Sequence, residues 1–149
     1  MLVAKPIRNG AGSGWTSIVD VFYDRLVLGI RNDSGLLCVR RNGGVDTSAK
    51  PIPDGQITIL SMVVQPDGTY RVFANGAEVM TDLTKNPLPA LVPGGAGPFA
   101  TSITLGRNAP DGWTAFNGLI GEVFLYKTAL TDSERQQLET YLALSLTGK

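Results

Sequence analysis

Gly118-Leu-Ile-Gly-Glu-Val-Phe-Leu-Tyr-Lys127, followed shortly by Thr131-Asp-Ser-Glu134-Arg135, decides the fold. The first part is nearly unbroken in apolar character and rich in branched and aromatic side chains, the composition of a buried strand. Thr131 then supplies a helix N-cap, and Glu134 stands three places on, the capping-box spacing. Leu138, Tyr141, Leu142 and Leu146 fall near one helical face, which predicts a helix docked by that face on a sheet. A core strand running into a docked terminal helix closes a domain. The chain before it is then expected to be sheet.

Working back from that stretch, short apolar runs alternate with turn signals. Ile57 to Gln65 reads as a second long buried strand. Pro66-Asp67-Gly68 turns the chain into Thr69 to Ala74, and Asn75-Gly76 turns it again into Ala77 to Met80, an antiparallel meander. Ile18 to Tyr23, Leu26 to Ile30 and Leu36 to Arg41 read as further strands, the last entering a hairpin at Asn42-Gly43. Residues 82–100 are rich in Pro and Gly and predict a long surface loop, a candidate site because long loops often carry function. Ser102 to Leu105 is a short strand, and Gly106 to Asn117 a polar loop holding Trp113 and Phe116. Leu2 to Ile7 predicts a short edge strand, so residues 1–16 are expected as an N-terminal arm or edge strand and 17–149 as the main domain. The fold class is all-β: a two-sheet antiparallel jelly-roll sandwich with one C-terminal helix.

Composition sets limits. At 149 residues the chain is one domain with room for a real core, and its 13 basic and 13 acidic side chains cancel. Nothing in that balance favours nucleic acid or an acidic surface. No run approaches a membrane span and no signal peptide opens the chain. Cys38 is the single cysteine, which excludes an intrachain disulfide and reads as a buried, inert thiol. Histidine is absent, which removes Ser-His-Asp and Cys-His catalysis and histidine metal ligands together.

Three segments carry a family resemblance. Pro66-Asp-Gly-Thr-Tyr-Arg-Val-Phe-Ala-Asn-Gly-Ala-Glu-Val79 resembles a hairpin of laminin G-like domains. Ile103-Thr-Leu-Gly-Arg-Asn108 with Phe116-Asn-Gly-Leu-Ile-Gly-Glu-Val-Phe-Leu-Tyr126 resembles the block that follows it there, and Ala129-Leu-Thr-Asp-Ser-Glu-Arg-Gln-Gln-Leu138 resembles their closing helix. The chain is thereby similar to the laminin G-like branch of the concanavalin A-like lectin/glucanase superfamily, from about Gln56 to Leu146. The resemblance implies the sandwich fold and a possible calcium site, and says little about function.

The superfamily's glucanases place acidic residues at alternating positions on one strand, so that both carboxylates reach across one sugar bond. Here the four Glu stand at 78, 122, 134 and 139, none alternating with an Asp, which argues against a β-glucanase-type glycoside hydrolase. Glu122, inside an apolar strand, is expected either to be paired with Arg107 or backbone donors or to lie on the solvent face. Gly118 and Gly121 predict close approach of a neighbouring backbone or aromatic ring. Asn108, Asp111 and Asn117 put oxygens in the loop before the last strand, the candidate calcium ligands. The same three residues with Trp113 are the candidate ligand-binding set, since a loop Trp can stack on a sugar ring or anchor a partner. Trp15 is also read as a loop residue.

The expected function is non-catalytic recognition or assembly. Its first form is a structural accessory protein making protein–protein contacts or self-associating: a virion decoration or tail component, or a subunit of an extracellular assembly. Its second is a glycan-binding, lectin-like adhesion module. The expected location is a virion or extracellular surface, without membrane insertion.

Overall fold

A computed structural model of the chain describes residues 1–8, 14–21, 26–41, 44–81, 102–107 and 114–148. The strands are β1 (Leu2–Pro6), β2 (Trp15–Val21), β3 (Leu26–Arg31), β4 (Leu36–Arg41), β5 (Gly44–Pro51), β6 (Thr58–Val64), β7 (Tyr70–Ala74), β8 (Ala77–Thr81), β9 (Ile103–Leu105), β10 (Thr114–Ala115) and β11 (Gly118–Val123). One helix, α1 (Asp132–Leu146), follows. They form a five-stranded sheet in the order β11-β1-β6-β7-β8 and a six-stranded sheet in the order β10-β2-β3-β4-β5, with β9 also on β2. All pairings are antiparallel except β10 with β2. The fold is the expected concanavalin A-like sandwich. The expected Asn42-Gly43 turn and the 82–100 loop lie outside the described residues.

Alternation along the strands builds the core between the sheets. Leu26, Leu28 and Ile30 of β3 and Leu37 and Val39 of β4 meet Leu60, Tyr70, Val72 and Met80 of the other sheet. A polar pair crosses the gap: the Tyr70 hydroxyl donates to the Asp46 carboxylate. The β7–β8 hairpin turns at Asn75 and Gly76, with φ of 49° and 83°, the left-handed pair that this tight turn requires.

Strand placement reverses two expectations. β1 is no arm or edge strand; it lies inside its sheet, bonded to β11 on one side and β6 on the other. β11, read as a core strand, is the sheet edge, with Leu119 62% exposed. Only Ile120 and Val123 pack against the core, Glu122 faces solvent, and the strand ends before Phe124 and Leu125. An apolar run reports strand character but not how many neighbours the strand has.

The helix docks by a face turned from the expected one, with Leu142 common to both. Its capping box is formed as expected: Glu134 N–H donates to Thr131 Oγ1 and Thr131 N–H to the Glu134 carboxylate. Hydrogen bonds from Thr131 hold the Glu134 carboxyl below its ordinary pKa. Yet the buried positions are Arg135, Glu139 and Leu142, one stripe at i, i+4 and i+7, while Tyr141 is 57% exposed and Leu146 is also exposed. Leu142 joins Val3 and Ile59 in a small cluster on the outside of the five-stranded sheet. Arg135 lies over the Phe73 ring at 3.6 Å and pairs with Glu139 at 2.7 Å; Ser61 Oγ donates to Glu139 at 2.6 Å. The helix thus sits on a buried ion pair with an apolar cluster behind it.

Cys38 is fully buried, and that burial pushes its thiol pKa well up. At pH 8, Ellman's reagent should label the folded chain at least about a hundredfold more slowly than the chain in denaturant. Labelling at equal rates would put the thiol at the surface.

Candidate functional site

The candidate site grows from β2. On the face of the six-stranded sheet turned away from the core, β2 and β3 place Trp15 beside Arg31, Ser17 beside Gly29, and Asp20 beside Val27. The rows continue onto Cys38 and Arg40 of β4. A bulge between Ser17 and Val19 keeps Asp20 on this face while Ile18 and Val19 turn into the core. Ser17, Asp20, Val27 and Cys38 are all buried, so the middle of this face is closed. Its Trp15 end is more open: Trp15 and Arg31 are both half-buried.

There the Arg31 guanidinium lies 5.1 Å from the Trp15 ring centre and donates to the Asp33 carboxylate at 3.0 Å. Trp15 therefore belongs to a strand, not to a loop, and one of its ring faces is already engaged by a cation. The Asn32 N–H to Gly14 C=O bond, 3.0 Å, fastens the chain just before the tryptophan.

The polar loop from 106 to 117 begins and ends on the same strand. β9 pairs with Val19–Val21 and β10 with Thr16–Ser17. Gly106 N–H donates to Ile18 C=O at 2.9 Å, and Phe116 N–H closes onto Gly106 C=O at 2.8 Å, which pinches the loop at its base. Gly106 takes φ of 73°, a left-handed turn suited to glycine. The exit of the loop, Thr114, stands opposite Thr16, one residue from Trp15. Asn108, Asp111 and Trp113 lie outside the described residues. Asn117 is exposed, and its C=O accepts the Ile7 N–H at 2.9 Å.

Among the described residues no group of three His, Cys, Asp or Glu side chains stands close enough to hold a metal ion. Asn117 is thus the one expected calcium ligand that the described residues contain. The sequence reading missed Arg31 as a neighbour of Trp15. Strand pairing, which brings positions 15 and 31 together, was its only available signal.

The concanavalin A-like lectin/glucanases superfamily is matched over residues 7–134. None of the curated proteins matches the chain. Among solved structures, it is similar to domain 4 of AbnA, a GH43 extracellular arabinanase from Geobacillus stearothermophilus in complex with arabinotriose. The TM-score is 0.57 at 23% identity, covering 93% of this chain and 64% of that one. It also resembles an S-layer domain-containing protein from Clostridium thermocellum, at TM-score 0.41 and 18% identity, covering 87% of this chain and 64% of that one. This chain therefore spans less than two thirds of either structure. No helix among the described residues is long and apolar enough to cross a membrane. The match over residues 7–134, on a two-sheet sandwich closed by a C-terminal helix, shows that this chain belongs to the concanavalin A-like lectin/glucanases superfamily, in its laminin G-like branch.

Proposed function

We propose that this chain is a non-catalytic, extracellular carbohydrate-recognition domain that takes a glycan at the Trp15–Arg31 end of the six-stranded sheet. The carrying observation is the double anchoring of the 106–117 loop on β2, which returns the loop beside that pair. In this reading Trp113, Asn108, Asp111 and Asn117 complete the site from the loop, and calcium, where bound, orders its oxygens. An aromatic ring with neighbouring guanidinium and carboxylate groups suits a sugar, whose C–H faces stack while its hydroxyls hydrogen-bond. The similar arabinanase domain was solved with arabinotriose, which makes arabino-oligosaccharides the first ligands to try.

The test is calorimetric titration with arabinotriose and a broader glycan array, with and without calcium. Binding is expected to weaken at least about tenfold in Trp15→Ala and in Trp113→Ala, the loss of a stacking contact. Silence across the array would sink the reading, and hydrolysis of arabinan or a β-glucan would overturn its non-catalytic part.

A second reading, a structural accessory domain of an extracellular or virion assembly, is favoured by a different surface. Leu125, Tyr126, Tyr141 and Leu144 are all more than half exposed, and Tyr126 and Tyr141 line one shallow hollow with Leu130 and Leu138. Exposed apolar groups gathered in this way mark contact surfaces. Light scattering behind size exclusion separates the two: a discrete oligomer supports assembly, and a monomer removes self-association.

A further inference from the structure

Two arginines lie against the turn that joins β3 to β4, and each has its own carboxylate. Arg31 Nη2 donates to Asp33 Oδ2 at 3.0 Å, while the same guanidinium lies 5.1 Å from the Trp15 ring centre. Arg8 packs on the other end of the turn: a Cβ at Gly35 would stand 2.6 Å from its Nη1. Asp54 Oδ1 accepts the Arg8 backbone N–H at 2.7 Å and lies 3.5 Å from Arg8 Nε.

The turn that carries Asp33 is fastened on both sides. Gly35 N–H donates to Arg31 C=O at 2.8 Å, and Ile52 N–H donates to Gly35 C=O at 3.0 Å. Asp33 is thereby held two residues from the cation that it pairs. The two side chains are 37% and 38% exposed, so a ligand at the Trp15 end meets both members of the pair.

That arrangement decides which ligand charge is accepted. A guanidinium is the usual receptor for a carboxylate, through two parallel N–H···O bonds. Here an incoming carboxylate has to displace Asp33, which competes as a tethered group at an effective concentration of about millimolar or above. Asp33 also repels a second negative charge brought beside it. An uncharged sugar meets neither obstacle. Arg31 Nη1, which has no partner among the described residues, is a donor for a hydroxyl or ring oxygen, and the Asp33 carboxylate accepts from a hydroxyl. Stacking on Trp15 and the bond to Asp33 hold the guanidinium in place beforehand, which lowers the entropy lost on binding.

We infer that Asp33 sets the ligand class of this end: by keeping Arg31 in a neutral pair, it makes the site select uncharged glycans and turn away uronates. Asp33 is in this respect a positioning residue that acts through Arg31. The inference rests on the reading of the Trp15–Arg31 end as the glycan site.

The experiment is calorimetric titration of the full chain with arabinotriose and with trigalacturonate, beside the glycan array. Wild type should bind arabinotriose at least about tenfold more tightly than trigalacturonate, and array hits should be uncharged sugars. Asp33→Asn removes the charge and keeps a residue that turns favour. It should raise the trigalacturonate-to-arabinotriose affinity ratio at least about fivefold, a gain that fades between about 50 mM and 500 mM NaCl. Asp33→Glu should restore the wild-type ratio. The double variant Arg31→Gln with Asp33→Asn should show no gain, since the freed cation is then absent. Circular dichroism spectra matching wild type confirm that the variants fold. A wild type that prefers trigalacturonate, or a ratio unmoved in Asp33→Asn, overturns the inference while leaving the site reading in place. A wild type silent toward both trisaccharides and the array sinks the site reading, and this inference with it.

Discussion

Glu139→Ala is expected to destabilise the fold by about 3–5 kcal/mol, and to lower the melting temperature by about 10 °C. The Arg135 side chain is 3% exposed and that of Glu139 8%, so the substitution leaves a guanidinium under the helix without its partner. Asp132, 3.6 Å from Arg135 Nε, is largely exposed and replaces little of what is lost. Ser61 Oγ loses its acceptor in the same step. Because desolvation offsets much of what a buried pair gains, the double variant Arg135→Met with Glu139→Leu is expected near wild-type stability or above it. Urea unfolding of the single and double variants checks both statements. A loss under about 1 kcal/mol in Glu139→Ala would show that the pair does not hold the helix.

Gly118→Ala should cost about 3 kcal/mol or more, by a different route. Gly118 has φ of 148°, and a Cβ there would stand 2.3 Å from the Lys5 carbonyl oxygen and 3.0 Å from the Phe116 ring. Neither the strand backbone nor the ring can give way without parting β11 from β1, which Gly118 joins opposite Pro6. Gly121→Ala is the control. A Cβ at that position meets Val3 Cβ at 3.4 Å with no left-handed backbone, and its expected cost is within about 1 kcal/mol. Equal urea midpoints for the two variants would refute the steric account.

Local chemistry could be read without the fold. The Thr131–Glu134 capping box, the Asn75-Gly76 turn, the close approach at Gly118 and the inert setting of Cys38 each depend on a few neighbouring residues or on one residue's own character. The family resemblance rested on the same kind of local pattern, and the match over residues 7–134 agrees with it.

The places where the reading changed are those where distant segments meet. Leu2–Pro6 looked marginal and is an interior strand because β11 and β6 close on both its sides; Gly118–Val123 looked central and is an edge because, among the described residues, only β1 pairs with it. The apolar stripe of α1 suggested one docking face, yet Phe73 and Ser61 on the sheet present a ring and a hydroxyl that select Arg135 and Glu139. Trp15 met Arg31 only through the β2–β3 ladder. Sequence by itself determined strands, turns, caps and family, since those follow from propensity and backbone sterics over short range. Tertiary structure alone decided which strand is an edge, which helix face is buried and that Trp15 meets Arg31, because burial and pairing are properties of what lies opposite a residue.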